Sequence, residues 1–136
     1  MPHFFNKKEI EMTRINCIPV EQLSNSHAMA EYRELPRIFT AILNNADTSN
    51  IPDSYRMGKG HVRFFYDKMI YLISRYNELI DVLESRGYNL SPDIYNSVLR
   101  SCESLPSSLF NDWTPNSHDR QLNLQRLRER DSNFYS

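Results

Sequence analysis

The feature that most constrains the fold is a run of apolar residues at spacings of three and four along the middle of the chain. Its members are Val62, Phe65, Met69, Leu72, Tyr76, Leu79 and Leu83. This period places them on one side of an α-helix, which Arg86 and Gly87 would end. The chain of 136 residues has only three glycines, too few for the frequent turns of a sandwich or barrel. We therefore expect one compact all-α domain of about three to four helices with long connecting loops.

A second amphipathic helix is predicted upstream, from a cap at Ser24 or Ser26 to about Asn45. Its apolar side would carry Ala28, Met29, Tyr32, Leu35, Phe39, Ile42 and Leu43. The opposite, polar side would carry His27, Arg33, Glu34 and Arg37. Pro36 lacks a backbone donor, so we expect a kink just after Glu34. A shorter helix from Ser91 or Asp93 to about Glu103, and a final helix over about residues 117–131, complete the prediction.

The charge distribution excludes a globally basic nucleic-acid-binding protein, because the formal net charge is −1. Positive residues do cluster locally, at Arg56, Lys59, Arg63, Lys68 and Arg75. The two cysteines lack a metal-ligand spacing and are expected to be reduced. The chain shows neither a signal peptide nor an apolar run of membrane-spanning length, so we expect no membrane association and a cytoplasmic, intracellular location.

The first twelve residues show neither a helical nor a strand period. We interpret residues 1–12 as an N-terminal extension or a mis-assigned start, and residues 13–136 as the folded domain.

Three motifs carry the chemistry: M-T-R-I-N at 12–16, A-E-Y-R-E-L-P-R at 30–37 and G-H-V-R-F-F-Y-D-K at 60–68. Together they resemble the pyrimidine-dimer DNA glycosylase/AP lyase family, the phage endonuclease V type. The resemblance runs from residue 12 to about 87 and continues more weakly through the final helix, where Q-R-L-R-E-R at 125–130 is similar to the family's basic pattern.

The resemblance implies a DNA repair enzyme that excises ultraviolet-damaged pyrimidines, namely cyclobutane dimers, from double-stranded DNA. The α-amine of Thr13 would attack the sugar of a nucleotide exposed by base flipping, leaving an imine (a Schiff base), and Glu34 would serve as the acid/base carboxylate. The strand is then nicked by β-elimination. An α-amine suits this task, since its reference pKa near 8 leaves a neutral fraction at physiological pH. No metal or cofactor is expected, and a monomer is expected.

DNA-binding roles follow from the same resemblance. Arg14, Arg33 and Arg37 would grip phosphates, which a planar guanidinium can pair with in bidentate fashion. His27 and His61 match positions near the site, and Arg126 and Arg130 match basic residues of the final helix. The alternatives are structural histidines, a solvated arginine face, an ordinary threonine at position 13, and a Glu34 that merely pairs with Arg37.

The sequence departs from the family pattern at its ends and in one loop. Residues 1–12 would block the amine of Thr13 if they stay attached, whereas initiation at Met12 and methionine removal would expose it. Removal of Met1 would instead expose Pro2, whose secondary amine can also form an iminium. The loop after the first long helix is shorter, and the tail lacks the longer aromatic and basic pattern, so other damaged bases or abasic sites are possible substrates. The competing hypothesis is a catalytically silent DNA-binding or regulatory protein of the same fold.

Overall fold

The computed structural model describes residues 13–91 and 93–135. The predicted extension over residues 1–12 lies outside them. The described helices are α1 Asn25–Glu34, α2 Pro36–Leu43, α3 His61–Phe64, α4 Met69–Ser85, α5 Asp93–Cys102 and α6 Ser117–Arg130. Single 3-10 turns occur at Val20–Gln22 and Ser107–Leu109. The all-α prediction is confirmed, and among the described residues no helix is long and apolar enough to cross a bilayer.

The first long helix begins and bends where the sequence predicts. The Ser24 hydroxyl accepts a hydrogen bond from the His27 amide at 3.2 Å, which caps α1. Leu35 separates α1 from α2, and Pro36 is the first residue of α2, a position where its missing N–H costs no helical hydrogen bond. The predicted apolar side faces the core, with Ala28, Leu35, Phe39 and Ile42 buried.

The prediction of one continuous helix from Val62 to Leu83 is wrong, because α3 and α4 are separated by residues 65–68. Lys68 leaves the helical region (φ −121°, ψ 47°) and forms an isolated antiparallel bridge with Phe110. The Asp67 carbonyl accepts from the backbone and side-chain amides of Asn111, at 3.2 and 2.8 Å. These contacts with the distant loop replace helical hydrogen bonds at the break. The apolar side is correct nonetheless, since all seven periodic residues are buried.

Helix α4 lies at the centre of the domain and packs against α1, while α2 packs against α5. The two C-terminal helices agree with the sequence prediction to within a residue or two at their ends. Helix α6 begins with a capping box, in which Asn116 and Asp119 each accept the other's backbone amide. Both cysteines are buried and free. The last turn of the fold brings Tyr135 back to Ser24 at the start of α1.

Candidate active site

The segment over residues 13–18 has no regular secondary structure and runs through the interior. Thr13, Ile15, Asn16, Cys17 and Ile18 are all buried. A buried chain without secondary structure must find partners elsewhere for its backbone amides and carbonyls, because an unpaired buried polar group is costly. In this segment the partners are side chains from four different parts of the fold.

The first half of the segment is held by hydrogen bonds with one histidine and two tyrosine side chains. The Ile15 amide donates to Nε2 of His61 at 2.9 Å, and the hydroxyl of Tyr55 donates to the Ile15 carbonyl at 3.1 Å. The hydroxyl of Tyr71 donates to the Asn16 carbonyl at 3.2 Å. Tyr55 and Tyr71 belong to an aromatic cluster in which both rings contact Trp113. Aromatic packing thus fixes the hydroxyls that hold the segment.

The second half is held by a buried polar network. Oδ1 of Asn123 accepts from the amides of Cys17 and Ile18, at 2.7 and 3.2 Å. The guanidinium of Arg75 donates to the Ile18 carbonyl at 2.6 Å, and to both carboxylate oxygens of Glu31 at 2.7 and 3.0 Å. Asn16 joins the two sides, since its amide donates to Glu31 at 2.8 Å and its oxygen accepts from Asn123 at 2.7 Å.

A cavity of about 470 Å³ opens beside this segment. Its wall includes Arg14 from the segment, His27 and Glu34 from α1, Arg37 from α2, and Arg126 and Arg130 from α6. Asn16, Glu31 and Asn123 of the polar network also line it. Six of the nine predicted site residues therefore surround one cavity, although they come from distant parts of the sequence.

Of the two carboxylates in this wall, Glu31 is paired with Arg75, and Glu34 is the one predicted to take part in the reaction. Burial raises the pKa of Glu34, while the charge of Arg37, a hydrogen bond from the Arg14 backbone amide and the charge of Arg14 act to lower it. A carboxyl group under such opposed influences can exchange a proton during a reaction. The Arg14 amide is one peptide bond from Thr13, so the predicted carboxylate lies at the residue that follows the predicted nucleophile.

Positive charge is concentrated around Glu34. Burial lowers the pKa of Arg14, and the nearby charges of Arg126 and Arg130 lower it further, whereas Glu34 raises it. Like charges held together in this way favour a polyanionic ligand. Arg126 also lies 3.5 Å from Glu129 across one turn of α6, an exposed contact of little energetic weight.

The two histidines differ in position. His27 lines the cavity, where it stacks on Tyr135 and its Nδ1 lies 2.7 Å from the Tyr135 hydroxyl; burial lowers its pKa. His61 is buried, donates from Nδ1 to the Arg56 carbonyl at 2.7 Å and accepts the Ile15 amide at Nε2. Burial lowers the pKa of His61 to about 4. Both ring nitrogens are occupied, which fits the structural alternative for His61.

Two other arginines lie apart from the residues with which the sequence interpretation grouped them. Arg33 is exposed on α1 and is not among the residues that line the cavity. Arg75 does not belong to a surface cluster with Arg56 and Arg63, because its side chain is buried against Glu31. A guanidinium on the apolar side of a helix needs an internal anion to be stable there.

Asn16, Glu31, Arg75 and Asn123 were missed by sequence reasoning. A signal existed for two of them, since Glu31 and Arg75 border the apolar sectors of their predicted helices in helical projection. Charged residues on an apolar side call for a partner. Within the part of the chain that the structure describes, no group of three or more His, Cys, Asp or Glu side chains could hold a metal ion.

Comparison with known families finds a match over most of the chain. A family model described as pyrimidine dimer DNA glycosylase matches residues 12–96, more than half of the chain. The matched region contains Thr13, Arg14, Glu34 and Arg37. Helix α6, which contributes Asn123, Arg126 and Arg130 to the cavity wall, lies beyond it.

Proposed function

The chain belongs to the pyrimidine dimer DNA glycosylase family, and from this premise we propose that it excises damaged pyrimidines with the α-amine of Thr13 and then nicks the strand. The family acts on damaged DNA. The imine mechanism, the lyase step and the roles of individual residues are our proposal.

In the proposed reaction the lone pair of the Thr13 nitrogen forms a bond to C1′ of the damaged nucleotide. The bond between C1′ and the base breaks, its electrons leave with the base, and the base takes up a proton. The nitrogen then loses one proton, and the bond between C1′ and the ring oxygen breaks with its electrons on that oxygen, which takes up a proton; the product is the protonated imine. Glu34 then accepts the C2′ proton, and the bond between C3′ and its oxygen breaks with its electrons on the departing phosphate.

The observation that carries the proposal is the cavity in which Glu34 lies together with Arg14, the residue after Thr13, and with three further arginines. Thr13 itself is buried and does not line this cavity, but its neighbour Arg14 does, and the cavity is large enough for part of a nucleotide. A carboxylate there can stabilise the positive charge that develops on the sugar, as in glycosidases. We assign phosphate contacts to Arg14, Arg37, Arg126 and Arg130, because they surround the cavity, and to Arg33 on the exposed side of α1.

The test compares the full chain with a chain that starts at Met12, after intact mass has verified removal of that methionine. Each is incubated with ultraviolet-irradiated duplex and borohydride, which reduces an imine to a stable adduct. We expect an adduct from the chain that begins at Thr13, and peptide mapping should find the modification on Thr13. An adduct of the full chain on Pro2 would assign the amine to Pro2 instead.

The carboxylate is tested with Glu34→Gln and a matched control, Glu84→Gln, which changes an exposed glutamate at the end of α4. We expect Glu34→Gln to bind irradiated duplex while strand cleavage collapses, and Glu84→Gln to cleave normally. Normal cleavage by Glu34→Gln would remove Glu34 from the mechanism. Absence of any adduct from protein verified to begin at Thr13 would overturn the enzymatic proposal in favour of a silent DNA-binding protein.

A further inference from the structure

Four buried polar side chains form an anchoring network to which the proposed reaction assigns no step. These are Asn16, Glu31, Arg75 and Asn123, which are between 1% and 7% exposed. Helix α1 supplies Glu31, helix α4 supplies Arg75, and helix α6 supplies Asn123. The network therefore joins three helices to the segment that follows Thr13.

Stability alone is a weak explanation for such a network. Apolar residues of similar volume are often as stabilising as a buried ion pair, or more so, because both charges lose their hydration. A fully satisfied polar network instead fixes the relative positions of its members, since each hydrogen bond restricts distance and direction.

The network fixes both halves of the proposed site, namely the segment that follows Thr13 and the helix that carries Glu34. Asn123 and Arg75 hold the Cys17 and Ile18 amides and the Ile18 carbonyl, so the segment cannot slide along its own axis. Glu31 lies one turn before Glu34 on α1 and is bound by both Arg75 and Asn16. The same set of contacts thus ties the residues after the amine to the helix that carries the carboxylate.

We propose that Asn16, Glu31, Arg75 and Asn123 are positioning residues, which hold the Thr13 amine and the Glu34 carboxylate in register for attack on the damaged nucleotide. The proposal rests on the proposed function. Asn123 is the most informative member, because one side chain contacts three consecutive residues of the segment and lies outside the region matched by the family model. Displacement of a reacting group by about 1 Å can reduce a rate by about 10²-fold.

The experiment uses whichever preparation forms the wild-type borohydride adduct, and it compares Asn123→Ala with Leu83→Ala. Leu83 is buried in α4 but does not line the cavity, so its variant is destabilised without a change to the network. Single-turnover adduct formation and the Kd for duplex with a non-reactive abasic analogue are measured below the unfolding temperature of each variant. Asn123→Ala should form adduct about 10- to 100-fold more slowly, with Kd changed by less than about threefold. Leu83→Ala should keep the wild-type rate.

Hydrogen exchange supplies a readout that does not depend on activity. The Cys17 and Ile18 amides should exchange faster in Asn123→Ala than its global unfolding allows, whereas Leu83→Ala should change them only through global unfolding. Unchanged local protection of these amides would overturn the anchoring, and a wild-type adduct rate in Asn123→Ala would overturn the positioning role.

Asn123→Asp serves if the alanine variant does not fold, since it keeps an oxygen for both amides and loses the donor to Asn16. Its adduct rate should fall below that of wild type at unchanged Kd, and a wild-type rate would overturn the proposal. Failure of the proposed function can be told apart from failure of the positioning role. If the proposed function fails, the wild-type protein forms no adduct in any preparation, and the positioning proposal is overturned as well.

Discussion

Protonation of His61 should destabilise the fold as the pH falls. The ring donates from Nδ1 to the Arg56 carbonyl and accepts the Ile15 amide at Nε2, an arrangement that requires the neutral form. A proton on Nε2 would face the Ile15 N–H and would place a charge in the interior. Burial accordingly lowers the pKa of His61 to about 4.

The magnitude follows from the difference between the folded and unfolded pKa values. An unfolded histidine titrates near 6.5, so above that pH neither state is protonated and the histidine contributes its full stability. Below about pH 6.5 the histidine of the unfolded state binds a proton, whereas His61 of the folded state does not bind one until about pH 4. Stability is therefore lost as the pH falls through this window, by about 3 kcal/mol.

The assay is urea unfolding from about pH 7 to about pH 4, followed by the fluorescence of Trp113. His61→Gln is the test variant, because its amide oxygen can accept from Ile15 but does not titrate. His118→Gln is the control, since His118 is exposed at the start of α6. Wild type and His118→Gln should each lose about 3 kcal/mol more than His61→Gln over this range. If the free energies of unfolding of wild type and His61→Gln fell in parallel with pH, to within about 1 kcal/mol, the reasoning would be refuted.

Three further perturbations test other parts of the molecule. Arg75→Met leaves a buried carboxylate without its guanidinium, so urea unfolding should show a loss of about 3–5 kcal/mol, and a loss near zero would contradict the buried ion pair. Arg126→Gln and Arg130→Gln should each reduce the slope of log K against log salt by about 0.9 in DNA-binding titrations, whereas Arg100→Gln, an exposed change outside the cavity, should leave it unchanged. Because burial raises the pKa of Glu34, adduct formation should show two declines on acidification: one from protonation of the Thr13 amine, and a second centred above the ordinary glutamate value of about 4.3, which Glu84→Gln should keep; a single decline from the amine alone would contradict the role of Glu34.

Local periodicity predicted most of the fold. The apolar side of α4 and the cap and bend of α1 follow from residues within a few positions of each other, so the sequence contains their cause. The break at residues 65–68 does not follow from nearby residues, because the contacts that compete with helical hydrogen bonds come from Phe110 and Asn111. Tertiary contacts of this kind are invisible to a helical projection.

The candidate site was predictable in the same measure. Helical projection placed Glu34 and Arg37 on one polar side, and both line the cavity. Glu31 was not recognised, because its partner Arg75 lies 44 positions away in the sequence. Each residue looks unfavourable on its own helix, and only the fold shows that they neutralise each other.

The bonds from Asn123 to the segment after Thr13 have a consequence for when this protein becomes competent. They join residues 106 positions apart, so the beginning of the domain acquires its final position only after nearly all of the chain is available. Such contacts close a long loop and tend to form late in folding. During synthesis, residues 13–18 leave the ribosome long before α6, and we expect them to lack their native anchorage until α6 follows. A nascent chain would then carry residues 13–18 without these partners, and a chain interrupted before α6 would lack the anchor that Asn123 supplies.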